Sequence, residues 1–315
     1  MICRWRSSTT PASIGTAMSN PSSPDGETGE AAKEPFLSIV TLSFNQADYL
    51  PEALKSVISQ KSDAVEFIVV DPGSTDGSRD IIAEYREGID TVILDPDDGP
   101  ADGLNKGFAA ARGRVGYFLN SDDFMVPGAI DALLRQWADH PGIGLLLGRA
   151  WRVGGDGSVD RELLPTANDK ATLASGAATI VQQGFSFAMD KFRAVGGFNA
   201  ANRSTWDYEL LADFAAAEVP FAIVDDRFGA FRLYPGGISG GAAGEAHQRR
   251  FDADYRRIHA DILNAPIDGD VMTFLRGARF RKMLENPSHA IHRLRELAIP
   301  SITRKRFSAD MARRV

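Results

Sequence analysis

Between residues 36 and 120 the chain alternates strand-like apolar runs with amphipathic stretches, and each run stops at a polar or acidic residue. "FLSIVTLSF" (36–44) has the β-branched, apolar character of a buried strand and ends at Asn45. "ADYLPEALKSVISQ" (47–60) then places Leu50, Leu54, Val57 and Ile58 on one helical face, with Asp48 as a candidate cap and Pro51 in the first turn. "VEFIVVDPGS" (65–74) is a second strand ending at Asp71. "RDIIAEYREG" (79–88) is a second helix, with Ser74, Thr75 and Asp76 as N-cap candidates. "DTVILDP" (90–96) is a third strand ending near Asp95. The loop 95–103 leads to a small-residue helix, "LNKGFAAARG" (104–113), stopped by Gly113, and "VGYFLN" (115–120) is the fourth strand. Parallel strands need helical crossovers, so this order predicts an α/β domain with a mostly parallel sheet. Ligands of such sheets bind at the carboxyl ends of the strands, where Asn45, Asp71, Asp95 and Asp122 would gather.

The fourth run stops abruptly in "YFLNSDDFMVPG" (117–128). Two adjacent carboxylates, Asp122 and Asp123, repel each other and lose solvation beside a buried edge. Either water screens them in a loop or a cation sits between them; Ser-Asp-Asp before Pro127 is also turn and cap chemistry. One acidic residue at a strand end is explained by capping, whereas the whole set points to a ligand. No GxGxxG follows the first strand and no GxxxxGK[ST] occurs, which argues against a dinucleotide dehydrogenase and a P-loop NTPase.

The 315 residues are 43% hydrophobic and 24% charged, the composition of an ordinary globular protein. The net charge is −7 but uneven: Arg276 to Val315 carries +8, leaving −15 elsewhere, so a general nucleic-acid binder is disfavoured. The lone Cys3 excludes an internal disulfide framework and a cysteine zinc site, making a cytoplasmic location the expectation. No stretch approaches the roughly 20 apolar residues of a membrane span. Residues 1–35, rich in Ser, Pro, Gly and Thr, read as a disordered leader without a secretory signal; Met18 is an alternative start.

"SIVTLSFNQADYLPEALKSVISQ", "EFIVVDPGSTDGSRDII" and "ADGLNKGFAAARGRVGYFLNSDDFMVPGAI" resemble successive nucleotide-domain blocks of the family 2 glycosyltransferases, which carry the GT-A fold. "VQQGFSFAMDKFRAVGGFN" and "WDYELLADF" resemble that family's acceptor-side segment and the acidic motif after it, so the resemblance runs collinearly over roughly residues 36 to 240. It implies a GT-A domain over 36–245, with a nucleotide half (36–130) and an acceptor half (131–245), followed by a helical, basic extension (246–315). It also implies an inverting transferase that uses a nucleotide-diphospho-sugar, with a UDP-sugar favoured, and a glycan or lipid-linked saccharide as acceptor. A nucleotide-sugar-binding scaffold is one alternative. The other, a sugar nucleotidyltransferase, lacks its GxGxR signature after "SIVTLSF".

On this resemblance Asp123 and Asp122 match the DxD-type motif, with Asp123 expected to touch Mn²⁺ or Mg²⁺ and Asp122 to hold ribose or metal. Asp71 matches the acid beside the nucleotide base, although Pro72 stands where many relatives have a second acid. Asn45, Asp95 and Lys106 are further donor-side candidates. Asp207 matches the catalytic base, a role that needs a carboxylate beside the attacking hydroxyl; as an excellent cap residue it also reads as the N-cap of the helix after it. Glu209 would face elsewhere. Gln183 and Trp206 are weaker candidates for the acceptor. Tyr234 replaces a family histidine, Arg232 is a candidate for neutralising the diphosphate, and the glycine-rich stretch 236–244 reads as a lid. The basic carboxyl end suggests peripheral contact with anionic lipid, or packing against the acidic domain.

Overall fold

Four parallel strands, β1 (Leu37–Leu42), β2 (Val65–Val70), β3 (Thr91–Ile93) and β4 (Val115–Asn120), lie in the order β3-β2-β1-β4. Leu37 stands opposite both Val65 and Val115, so the ends of β1, β2 and β4 are level. Strands β1, β2 and β4 are buried on both faces, which is why they read as continuous apolar runs rather than alternating ones, while the edge strand β3 is half-buried. This is a computed structural model, and it describes residues 34–237 and 244–285. The expectations for the leader, most of the glycine-rich stretch and residues 286–315 lie outside the described residues.

Helix α1 (Leu50–Ile58) and α2 (Ser78–Glu84) follow β1 and β2. Neither uses the expected side-chain cap: α1 starts from Tyr49, and α2 from Gly77, whose φ of 99° favours glycine. Asp76 instead accepts from Ser78 N–H at 3.0 Å and from Ala47 N–H at 2.8 Å, tying the β2–α2 turn to the β1–α1 turn. Helix α3 spans Pro100–Ala110, so its first turn takes up residues that the sequence pattern assigns to a loop. Pro100 has no N–H to lose at the helix start, which explains the earlier boundary.

Past β4 come the short β5 (Phe124–Met125) and helix α4 (Ala129–Asp139), then the long β6 (Leu145–Gly154) and β7 (Val159–Leu163), the expected hairpin. Strand β8 (Phe185–Ala188) pairs antiparallel with both β4 and β6, and β9 (Phe221–Leu233) runs parallel to β6 and antiparallel to β5. The nine strands form one mixed sheet, with β1 to β4 all parallel. Helices α5 (Lys170–Ala174), α6 (Met189–Ala194) and α7 (Trp206–Ala216) follow in the segment after β7. Phe108, Phe118, Phe187, Phe192 and Phe214 fill the layer where α3, α6 and α7 meet the sheet.

Helix α8 (Gly244–Arg257), a π-helical turn (Ile258–Ile262) and α9 (Val271–Glu285) dock on α5 and α7 through Leu173, Tyr208, Ala212, Tyr255, Ile258 and Leu275. The described part of the carboxyl extension is therefore helical. Among the described residues, no helix is long and apolar enough to cross a membrane.

The 3₁₀ turn Gln182–Gly184, just before β8, passes unusually close to β6: a Cβ on Gly184 would lie 2.2 Å from the Gly148 carbonyl oxygen. Backbone cannot step aside as a flexible side chain can. Gly184→Ala is therefore expected to destabilise the domain by about 1–3 kcal/mol, lowering the Tm by several degrees in calorimetry.

Candidate active site

Asn120, Asp122 and Asp123 stand at the end of β4, and the two carboxylates have different partners. Asp123 is 2% exposed. Its Oδ1 accepts from the Arg232 backbone N–H at 2.8 Å, and its Oδ2 from Gln183 Nε2 at 2.7 Å and Asn120 Nδ2 at 3.4 Å. Both oxygens are thus engaged by protein. Among the described residues Asp122 is met only by the Tyr234 hydroxyl, which lies 3.2 Å from Asp122 Oδ2 and 3.1 Å from Gln46 Oε1 and donates to one of the two, and its Oδ1 takes no hydrogen bond from another described residue. Burial lifts both carboxyls above the ordinary range; the neighbouring charge adds to the lift at Asp123, while Tyr234 and Arg232 moderate it at Asp122.

The Arg232 side chain is 2% exposed and engages four of its five N–H donors. Nε donates to the Asp122 carbonyl at 2.9 Å, Nη1 to the Gly154 and Gly155 carbonyls, and Nη2 to Glu52 of α1. Tyr49 and Phe124 place their rings 4.6 and 5.4 Å from its carbon. It is buried in protein, with its charge set near Asp122 and Glu52. Gln183 is likewise inward, its amide also bonded to Gln182 Oε1 at 2.7 Å, so it holds Asp123 and does not present itself to an acceptor. The repulsion within Asp122–Asp123 is thus met from inside by hydrogen bonds and a cation, a compensation that the sequence does not display.

At the end of β2, Asp71 is fully buried. Its Oδ1 accepts from Gly73 N–H, Ser74 N–H and Arg79 Nε at 3.1, 2.8 and 3.0 Å, whereas Oδ2 is buried without a partner. Burial alone would raise this carboxyl, but the Ser74, Arg79 and Gly73 bonds hold it below the ordinary range. Asn45 adopts φ 52° and uses Oδ1 to accept from Thr75 N–H at 2.9 Å, so its side chain fastens the turn. Phe44 beside it is 56% exposed, an aromatic face at the strand edge that the strand pattern conceals. Lys106 bonds to the Pro96 carbonyl at 2.6 Å and pairs with Asp102 at 2.8 Å; Asp95 is exposed and takes no hydrogen bond.

Asp207 sits in the first turn of α7, one residue inside the helix. The N-cap is Thr205, so the capping reading of Asp207 does not hold. Among the described residues the one bond to its carboxyl comes from Tyr208 N–H, at 2.8 Å to Oδ1, and burial raises its pKa. Glu209 contrasts with it: 3% exposed, it accepts from Arg257 Nη1 and Nη2 at 2.7 and 2.6 Å, from Asn199 at 2.9 Å and from Asn202 at 2.6 Å. Those bonds overcome its desolvation and hold its carboxyl low. Trp206 borders the apolar layer with its indole N–H buried and unpartnered.

Asn120, Asp122 and Asp71 stand at the ends of β4 and β2, and they and Asp207 each keep an oxygen without a hydrogen bond among the described residues. Arg232 and Lys106 are engaged by protein partners, and Asp95 is exposed at the end of the β3 segment. Among the described residues, no three His, Cys, Asp or Glu side chains gather that could hold a cation by themselves. A divalent cation held by one or two protein oxygens plus ligand phosphates is the ordinary arrangement for magnesium, and Asp122 Oδ1 with Asn120 Oδ1 suits it. Asn120 escaped the sequence reading because it counted as the last strand residue, although it abuts "SDD".

The sequence profile of glycosyl transferase family 2 matches residues 38–196. An uncharacterized glycosyltransferase of Nostoc sp., alr2836, is 34% identical over 113 residues, covering 35% of either chain. The succinoglycan biosynthesis protein ExoO of Rhizobium meliloti is 32% identical over 111 residues, 35% of this chain and 32% of that protein. The chain thus spans about a third of the length of these curated relatives. Residues 1–349 of S. aureus TarS, solved with UDP-GlcNAc, superpose with a TM-score of 0.57 at 19% identity, covering 74% of this chain and 68% of that one. The mannosyltransferase PcManGT of Pyrobaculum calidifontis, solved with GDP-Man and Mn²⁺, gives 0.54 at 16% identity, covering 89% and 80%. At such identities the likeness is one of fold, and it establishes the GT-A architecture.

Because Arg232 compensates the carboxylate pair from below, Arg232→Met should leave buried Asp123 and Asp122 without their cation. The expected cost is about 3–5 kcal/mol, read as a large fall in the urea midpoint. An unchanged midpoint would show that the pair is stabilised by something else.

Proposed function

Because this chain belongs to glycosyl transferase family 2, we propose that it transfers a sugar, with inversion, from a nucleotide-diphospho-sugar to a hydroxyl of a glycan or lipid-linked acceptor. The observation that carries this reading is the Asp207 carboxyl, bonded among the described residues to Tyr208 N–H alone, in a chain whose Asp71 and Asp122, after β2 and β4, also keep an oxygen without a partner. A UDP-sugar is the favoured donor; the buried, partnerless Asp71 Oδ2 would accept from a base N–H, which uracil and guanine both carry, and the exposed Phe44 ring, two residues past β1, would offer a stacking face. Contact with an anionic membrane surface is supported by α9, where Phe280 and Leu284, 57% and 63% exposed, stand among exposed Arg276, Arg279 and Arg281.

Asp122 and Asn120 would hold a divalent cation, manganese or magnesium, with Asp123 fixing their loop from beneath. Bound there, the cation would bridge to the diphosphate and offset the charge that develops on it as the sugar departs. The remaining work falls to the chain's own groups. Asp207 accepts the proton of the attacking acceptor hydroxyl through its open Oδ2, while Oδ1 is steadied by Tyr208 N–H. Glu209, locked to Arg257, keeps the first turn of α7 in place. Gln183 and Asn120 keep the carboxylate pair oriented.

A base must be ionised to act. Since burial raises Asp207, the acid limb of the kcat profile should lie above the ordinary aspartate value of about 3.9, activity falling as pH drops through it. Asp207→Asn should reduce kcat by about 10²–10⁴-fold while titration calorimetry finds the nucleotide affinity unchanged. Turnover that survives the substitution would remove Asp207 from the mechanism.

A further inference from the structure

Two buried polar atoms near the strand ends are left unused by the site described above. Asp97 lies in the segment between β3 and α3. Its Oδ1 accepts from Gly99 N–H at 2.9 Å, but Oδ2 is buried and without a partner. A Cβ on Gly103, in the first turn of α3, would come within 2.4 Å of this Oδ2 and 2.7 Å of Leu42 Cδ1, which places the atom against the end of β1. Burial holds the Asp97 carboxyl above its ordinary range despite Lys106 and Arg203 nearby. Lys106 offers little relief because Asp102 and the Pro96 carbonyl occupy its ammonium.

The second atom is Trp206 Nε1, in the first residue of α7 and adjacent to Asp207. It too is buried and lacks a partner, and its ring borders the same apolar layer as Leu42 and Ile93. The two segments meet: a Cβ on Gly99 would lie 2.6 Å from Arg203 Nη1, so the loop before α7 leans on the β3–α3 loop. A buried acceptor on the β3–α3 loop and a buried donor next to the proposed base therefore lie on two segments that meet through Gly99 and Arg203. A buried polar group left unpaired costs about 1–3 kcal/mol, and such groups in a folded protein call for an explanation.

We propose that Asp97 and Trp206 form the subsite that reads the hydroxyl groups of the sugar being transferred. Asp97 Oδ2 accepts from one sugar hydroxyl, and Trp206 Nε1 donates to a sugar oxygen. This inference rests on the donor-site reading given under Proposed function and adds the part of the donor that each residue contacts. The ligand class follows from charge and hydrogen-bonding capacity. Asp95, Asp97, Asp98 and Asp102 crowd this loop against only Lys106 and Arg203, so a phosphate is repelled and an uncharged, hydroxyl-bearing group is welcome. A site whose buried groups require a hydroxyl partner discriminates strongly against sugars that lack it, because those groups would stay unpaired.

The test uses the near-isosteric variants Asp97→Asn and Trp206→Phe, each checked for an unchanged far-UV spectrum. Titration calorimetry with Mn²⁺ compares UDP, GDP and TDP with their glucose, N-acetylglucosamine and mannose conjugates. The expected result is that wild type binds one conjugate more tightly than the parent diphosphate. Both variants should keep the diphosphate affinity within about twofold and lose about tenfold on the conjugate. Variants that bind the conjugate as wild type does would overturn the proposal, as would a wild-type protein for which no sugar adds affinity; in both cases the donor site itself stands. Failure of wild type to bind any of the diphosphates would remove the donor-site reading, and this subsite with it.

Discussion

The contact on which the rest of the site depends is the hold that Arg232 and Gln183 take on Asp123. Through its two oxygens this buried carboxylate joins the end of β4, the backbone of β9 and the 3₁₀ turn before β8. The guanidinium of Arg232 extends the link to the β6–β7 turn and to Glu52 of α1. Five segments distant in sequence are thereby fixed around one charge. In a low-dielectric surrounding a carboxylate is tolerated only when it is hydrogen-bonded, so Asp123 adds a polar tie between segments that the shared sheet and the aromatic layer also hold together.

A common arrangement runs through the acidic positions. Asp123 is spent on protein while Asp122 keeps an oxygen open. Asp71 spends Oδ1 on Gly73, Ser74 and Arg79 and leaves Oδ2 bare. Glu209 is saturated by Arg257, Asn199 and Asn202, and Asp207, two residues earlier, is not. In each case a satisfied oxygen supplies rigidity, and a neighbouring unsatisfied one is left for the ligand contact proposed above. Holding the reactive group in this way removes the reorganisation that a loosely held carboxylate would need on binding.

The strands of the nucleotide half were legible because a parallel sheet covered on both faces imposes continuous apolar runs, and "SIVTL", "EFIVV" and "VGYFL" meet that demand. Asp71, Asp122 and Asp207 were legible as positions because each closes or opens an element. Their partners were not. Whether a carboxylate is spent depends on groups about 60 and 109 residues away, such as Gln183 and Arg232 for Asp123, and no local pattern reports such pairings. The same blindness made Arg232 and Lys106 look available for phosphate, since a basic residue near a strand end reads alike whether paired or free. Asp97 was hidden by its neighbours: in a run of four acids within eight residues, only burial singles out one.

The profile match ends at residue 196, yet the proposed base lies beyond it, on a helix that does not hold itself in place. The first turn of α7 is gripped from outside by α8 and the π-helical turn. Ser204 Oγ donates to Asp254 at 2.6 Å, Arg257 forks onto Glu209, and the Tyr208 hydroxyl lies 2.9 Å from His259 Nε2 under the stacked ring of Tyr255. Burial keeps His259 uncharged, so its ring nitrogen is free to accept from Tyr208. Each of these bonds touches a residue within three positions of Asp207. The described helices of the carboxyl extension therefore brace the turn that carries Asp207, and under the proposed role of Asp207 as the base they support it as much as the strand ends do.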